Sequence, residues 1–238
     1  MNWIEYWSQP GFDDEFRSKS LELYTGKIVE LVSLKGDENV LDYGAGPGFL
    51  AQYLAPRVRH LVLMEPAEVL REKSMRDTAS LRNVSHVDPR NEESLTGCFA
   101  HHSFDLVLIN SVIQYLSPGK TQRILLALHQ SLKPGGTIVI SDIVADDSSL
   151  LADLLSVMHF YRQWFPLRRF LRYVATEFRN LRKRSGLPFQ KYSRRSFECL
   201  VTQAYSVSWV ANPTICAGRM CAVLTPRREW SRNHTAGE

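Results

Sequence analysis

The stretch Val40-Leu41-Asp42-Tyr43-Gly44-Ala45-Gly46-Pro47-Gly48-Phe49-Leu50 constrains the fold more than any other part of this 238-residue chain. A short apolar run passes into three glycines spaced two apart, and then into a second apolar run. Glycine reaches backbone conformations closed to other residues, so the chain can turn sharply here and approach a ligand closely. Strand, glycine turn and helix in succession make the first βα unit of an open α/β sheet, and such sheets bind ligands at the carboxyl ends of their strands. The helix N-terminus behind the turn presents N–H groups suited to a carboxylate or phosphate.

The same alternation continues to about residue 145. Residues 21–34 read as a helix with Leu21, Tyr24, Ile28, Leu31 and Val32 on one face. Strands are expected over 39–43, 60–64, 84–87 and 104–109, with helices opening at 49 and spanning 68–80. Ser117 can cap the next helix, with Pro118 at its first position and Ile124, Leu125, Leu128 and Leu132 as its buried stripe. Lys133-Pro134-Gly135-Gly136 should stop that helix before a strand over 137–143. A helix over 195–203 and strands over 205–210 and 219–224 complete the pattern. Strands alternating with helices mean a doubly wound, mostly parallel α/β sheet. The length suits one domain over 1–238 that carries an insertion.

That insertion, 146–190, breaks the rhythm. Asp147 or Ser148 can cap a helix with Leu150, Leu151, Leu154, Leu155 and Met158 directed inward. Pro166 opens a second helix whose apolar stripe is Leu167, Phe170, Leu171, Val174, Phe178 and Leu181. Two such helices are expected to lie over the sheet as a cap. The opposite side is basic: residues 159–195 hold eleven lysines and arginines against the single acid Glu177, in a chain whose net charge is only +4. A solvated helix face, an acidic acceptor, and an anionic membrane or RNA surface each account for such a charge. No recognised RNA-binding motif is present, and DNA is not expected as a partner.

The first residues lack the basic and apolar regions of a secretory signal, and no apolar run approaches the roughly 20 residues of a membrane-spanning helix. Cys98, Cys199, Cys216 and Cys221 show no zinc-ligand spacing. Reduced thiols and a cytoplasmic location are the expectation.

Residues 42–48, an acid followed by Gly-x-Gly-x-Gly, resemble motif I of the class I S-adenosylmethionine-dependent methyltransferases. Four further features fit that family in order: Glu65 ending the second strand, Asp88 ending the third, residues 104–110 as motif IV, and Leu132-Lys133-Pro134-Gly135-Gly136 before the fifth. A nicotinamide or flavin site fits less well, because Phe49 stands where the third glycine of G-x-G-x-x-G belongs. The resemblance implies a Rossmann-like seven-stranded sheet with an antiparallel last strand, S-adenosylmethionine as donor and S-adenosylhomocysteine as product. It further implies that Asp42 orients the methionine ammonium and that Gly44, Ala45 and Gly46 line the methionine part. Glu65, with Pro66 beside it, would hold the ribose; Asp88 would meet the adenine; Asn110 and Ser111 would flank the methionine. Pro89 departs from the pattern, since it has no backbone N–H to give the adenine.

Methyl transfer is an in-line displacement, so much of the protein's work is alignment. A base is needed only where the nucleophile must lose a proton. Asp142 in the fifth strand, His159 on the insertion and Tyr115 after the fourth strand are the candidates. Small-molecule relatives often carry a histidine near Gln114 and Tyr115; this chain has none there. Tyr161, Arg162 and Arg169 are candidates for contacting a small, anionic, phosphorylated or sugar-type acceptor, as in small-molecule biosynthesis. No metal is expected. Trp3, Tyr6, Trp7, Phe12 and Phe16 can form a lid or pack on the core. A non-catalytic nucleotide-binding module is the remaining alternative.

Overall fold

The structure, a computed structural model, describes residues 2–9, 13–88, 103–183, 186–216 and 218–227. In chain order the elements are α1 (Trp3–Trp7), α2 (Asp14–Val32), β1 (Asn39–Tyr43), α3 (Phe49–Leu54), β2 (His60–Met64), α4 (Glu68–Asp77), β3 (Val84–Val87) and β4 (Phe104–Asn110). They continue with α5 (Pro118–Ser131), β5 (Leu132–Val144), α6 (Leu150–Trp164), α7 (Leu167–Lys183), α8 (Arg194–Val201), β6 (Tyr205–Val210) and β7 (Arg219–Pro226). The strands form one seven-stranded sheet in the order β3-β2-β1-β4-β5-β7-β6. β1 to β5 pair in parallel, and β7 runs antiparallel between β5 and β6. The winding direction reverses between β1 and β4, which opens a crevice beyond the carboxyl ends of these strands.

The central strands are apolar on both sides because helices cover both faces. Val40 of β1 and Val139 of β5 pack with Tyr24 and Ile28 of α2 and with Leu50 and Leu54 of α3. Leu41, Ile138 and Ile140 point the other way, toward Ile124, Leu125 and Leu128 of α5 and Phe197 of α8. Full burial of one such side chain stabilises the fold by about 1.5–3 kcal/mol. Capping sets the ends. Ser117 Oγ accepts the Lys120 N–H at 3.3 Å ahead of Pro118. Asp13 accepts the Phe16 N–H at 3.0 Å, which starts α2 well before residue 21.

Three local expectations change. Leu132 pairs with Phe104 already, so β5 begins there, and the Pro-Gly-Gly segment forms an irregularity between two pairing registers instead of a loop. Leu31 is exposed, and Thr25 is buried on that helix in its place. The largest change is in α6: Leu151, Leu154 and Leu155 are exposed, and Val157, Phe160 and Tyr161 face inward. The rings decide this. Tyr161 stacks on Phe16 of α2 with centroids 4.9 Å apart and packs against Phe165, Phe170 and Tyr173. The aromatic stripe buries more area per side chain than the leucine stripe beside it. In α7 likewise Phe170 is buried and Leu167 and Leu171 are exposed.

Candidate active site

A cavity of about 1900 Å³ lies over the carboxyl ends of β1, β2, β4 and β5, with α1, the start of α2 and α7 as its roof. Its floor begins at the glycine turn. Gly44 has φ +82°, and a side chain there would meet a Val112 methyl at 2.5 Å; Gly46, at φ +57°, faces open space. The N–H groups of the turn itself are satisfied within the protein. Those of Gly44 and Ala45 donate to the Met64 carbonyl at 2.8 and 3.0 Å, and that of Gly48 to the Ala45 carbonyl at 3.1 Å. The Gly46 N–H donates to Glu65 Oε2 at 2.7 Å, while Glu65 Oε1 accepts from the Ala67 N–H at 2.8 Å. The buried Glu65 carboxylate therefore closes the turn onto β2, and each oxygen keeps a lone pair for a ligand hydroxyl.

Charge on this wall is unbalanced. Burial raises the Glu65 carboxyl above its ordinary value, against two N–H bonds and the fields of Arg71 and Arg17. Burial, and then the neighbouring Glu65, push Asp42 up to about 7. Among the described residues no cation pairs with Asp42. Asn110 Oδ1 is also buried on this wall, with no donor among the described residues. A buried acid and an orphaned acceptor are both relieved by a ligand that carries N–H donors and positive charge. The ammonium, sulfonium and ribose diol of S-adenosylmethionine supply those groups, so the residues present fit it.

At the ends of β4 and β5, Ser111 and Asp142 both hold left-handed backbone, φ 58° and 63°. For non-glycine residues this conformation costs about 1–2 kcal/mol each. Ser111 Oγ donates to Asp142 Oδ2 at 2.7 Å, and Thr214 Oγ1 to Asp142 Oδ1 at 3.3 Å. Burial raises the Asp142 carboxyl despite Arg219, Ser111 and Thr214.

The roof is joined by rings and one ion-pair cluster. Trp3 lies 4.4 Å and Trp7 5.5 Å from the Tyr115 ring, and Trp3 Nε1 donates to the Pro188 carbonyl at 2.6 Å. Asp13 accepts from Arg169 Nη2 at 2.8 Å, Arg169 Nε at 3.1 Å and the Tyr161 hydroxyl at 3.1 Å. Arg169 also pairs with Glu15. Burial opposes ionisation of Asp13, but Arg169, the Phe16 N–H and Tyr161 together hold its carboxyl below the usual range.

Of the residues singled out in the sequence, Asp42, Gly44, Ala45, Gly46, Glu65, Pro66, Asn110, Ser111, Tyr115, Asp142 and Arg169 line this one cavity. Four do not. Asp88 pairs with Arg71 at 3.2 Å, and Arg71 in turn donates to the Glu65 carbonyl at 2.9 Å. His159 and Arg162 line a separate shallow depression on the outside of α6. Tyr161 is buried beneath the roof, one turn of helix having carried it inward with Phe160. Arg169 reaches the wall with its charge already met by Asp13 and Glu15. Phe12, Pro89 and Cys98 lie outside the described residues. Sequence reasoning missed Asp13, Arg17 and Arg71. Arg17 stands over the Trp7 ring at 4.9 Å and acts on Glu65; no local pattern marks a residue that works through such distant partners.

The sheet order and the acid-backed glycine turn define the class I methyltransferase fold. Residues 15–204 match the methyltransferase domain family, and the chain belongs to it. Part of a chondramide synthase of Chondromyces crocatus is 30% identical over 144 residues, 59% of this chain and 4% of the synthase. A protein-L-isoaspartate O-methyltransferase of Vibrio campbellii is 28% identical over 114 residues, 48% of this chain and 50% of the relative. The chain thus spans half the length or less of these curated relatives. Among solved structures, a phosphoethanolamine N-methyltransferase of Haemonchus contortus in complex with phosphoethanolamine and S-adenosylhomocysteine superposes with a TM-score of 0.64 at 16% identity, over 95% of this chain and 48% of that one. A S-adenosylmethionine-dependent methyltransferase of Leishmania major gives 0.60 at 15% identity, over 94% and 81%. At these identities the likeness is one of fold.

Proposed function

We propose that the protein carries a methyl group from S-adenosylmethionine to a small acceptor bearing an anionic group, a phosphate or carboxylate. One observation carries this reading: Arg168 and Arg172 are on the cavity wall, exposed, and among the described residues paired with no carboxylate. Their neighbour Arg169 is neutralised by Asp13 and Glu15, so the free positive charge of the roof sits at these two positions. An arginine fork binds such anions bidentately. The phosphoethanolamine bound by the Haemonchus contortus enzyme is an acceptor of this chemistry.

The donor supplies an already electrophilic methyl group on its sulfonium. Asp42 and Asn110 take the ammonium end, and Glu65 takes the sugar while holding the glycine turn closed. Asp88 acts through Arg71 on the position of Glu65. Tyr115 and the Trp3–Trp7 roof exclude water above the transferring group. Asp142, held by Ser111 and Thr214 with its carboxyl raised, receives the acceptor's proton where the nucleophile must lose one. Two strained residues bonded to each other at a strand switch support a functional use of that pair.

The experiment is a titration with S-adenosylhomocysteine followed by a methyl-transfer assay over phosphorylated and carboxylated acceptors. Replacing Arg168 and Arg172 with alanine should raise the acceptor KM by about tenfold to a hundredfold and leave the S-adenosylhomocysteine affinity in place. Turnover with neutral acceptors only, or an unchanged KM, refutes the anionic acceptor. Failure to bind S-adenosylhomocysteine refutes the donor site.

A further inference from the structure

Exposed apolar side chains are not spread evenly over this molecule. Leu151, Leu154, Leu155, Trp164, Leu167 and Leu171 fall within one stretch of the two roof helices, and Leu167 and Leu171 keep 65% and 61% of their surface exposed. The pattern on α7 is ordered. Residues 167, 168, 171, 172 and 175 are exposed, and 170, 173 and 174 are turned inward. At 100° per residue the exposed set spans less than half of the helix, with Leu167, Leu171 and Ala175 along one side of it and Arg168 and Arg172 along the other. Trp164 stands at the α6–α7 turn, 41% exposed, with the Lys19 ammonium 4.1 Å from its ring. Arg162 is exposed two residues earlier.

The α2 acids beside this edge are engaged, Asp13 and Glu15 with Arg169 and Glu22 with Lys19 at 2.7 Å. On α6 the carboxylate of Asp153 is taken by Arg219 at 2.5 Å. On α7 the acid is Glu177, beyond the exposed leucines. Asp146 and Asp147 precede α6 and so stand at the far end of that helix from the turn. Leucine and tryptophan flanked by arginine, with the apolar groups out, suit the boundary between lipid headgroups and acyl chains. Among the described residues no helix is long and apolar enough to cross a membrane.

We propose that the α6–α7 edge docks this protein on an anionic lipid surface, with Trp164, Leu167 and Leu171 entering the headgroup layer and Arg162, Arg168 and Arg172 meeting lipid phosphates and carboxylates. A polynucleotide would use the arginines but has no use for bare leucines beside them, which is why lipid is the occupant the surface fits. The inference goes beyond the acceptor proposed above and stands without it. Arg168 and Arg172 also line the cavity, so docking brings its mouth to the lipid surface.

Full-length protein is mixed with phosphatidylcholine vesicles containing about 30% phosphatidylserine, and binding is read by co-sedimentation. Binding should weaken by about tenfold on pure phosphatidylcholine, and by about tenfold as salt rises from about 0.1 to about 0.5 M. The double variant Leu167→Ser/Leu171→Ser should lose about tenfold or more while keeping wild-type affinity for S-adenosylhomocysteine, which separates docking from folding and from the donor site. Equal binding to both vesicle types, undiminished binding by the leucine variant, or no association at all overturns the proposal. So does a wild-type dimer, seen by sedimentation velocity without vesicles, that the leucine variant abolishes. Salt-sensitive binding to tRNA that exceeds vesicle binding and ignores the leucine change overturns it in favour of a nucleic acid.

Discussion

The floor and the roof of the cavity are built by different means. On the floor the turn after β1 is tied by main-chain bonds to Met64, and Glu65 reaches Gly46 across only 19 residues. The roof is tied by side chains: Arg169 reaches Asp13 across 156 residues and Tyr161 reaches it across 148. Main-chain bonds at strand ends recur whenever the sheet forms. Side-chain bonds depend on how two elements distant in the chain are packed. The floor is accordingly the part whose chemistry is written in a compact motif, and the roof the part where we propose that the acceptor is chosen.

If that contrast holds, floor substitutions should affect donor binding strongly and roof substitutions should not. Glu65→Ala leaves the Gly46 and Ala67 N–H groups without an acceptor and removes the carboxylate proposed to hold the ribose. Calorimetry should show S-adenosylhomocysteine affinity falling about a hundredfold, or about 2.7 kcal/mol. Unchanged affinity would place the donor elsewhere. Gly44→Ala forces a side chain into left-handed backbone and against Val112, and should lower stability by about 2–3 kcal/mol in denaturant melts.

Asp42 gives a pH signature. It must be ionised to receive an ammonium, so donor affinity should fall about tenfold from pH 8 to pH 6, and Asp42→Asn should flatten the curve. Its folded pKa lies above the ordinary 3.8. The folded, ligand-free protein therefore holds more protons than the unfolded chain between about pH 4 and 7. Stability from this group is full below that window, declines as pH rises through it and levels off above about 7; urea melts at both ends of the range check the sign.

On the roof, Asp13→Asn should lower stability by about 1 kcal/mol at neutral pH, since the pair is only half-buried. Asp13 has a depressed carboxyl, so its contribution is present above the ordinary value and disappears as acid titrates it; variant and wild type should converge there. A difference that persists in acid assigns the effect to packing. The smallest effect is expected from Leu167→Ser, within about 0.5 kcal/mol, because the side chain touches little.

How far each part was legible follows the same division. Residues 42–48, Glu65 and Asn110 were readable as a group because strand ends place them in order along one crevice. The partners of the turn's N–H groups were not readable: Met64 and Glu65 take those of Gly44, Ala45 and Gly46, and both arrive from another strand. His159, Tyr161 and Arg162 stand side by side on one helix, yet one is buried and two face away from the cavity. About 100° of rotation separates Arg162 from Tyr161 and about 160° separates His159 from it, and the orientation was set by Phe16 of α2, whose packing no local pattern reports.

Taken alone, the amino-acid order determined the alternation of strands and helices, the seven-stranded sheet and the place of the donor crevice. These rest on short-range causes: glycine backbone freedom, capping side chains and the period of apolar residues. The tertiary structure alone decided which stripe of α6 faces inward, that Arg169 is spent on Asp13 and Glu15, and that Arg168 and Arg172 remain available. Two apolar stripes on one helix differ little in hydrophobicity, so the choice falls to the surface each one meets, and that surface comes from residues more than a hundred positions away.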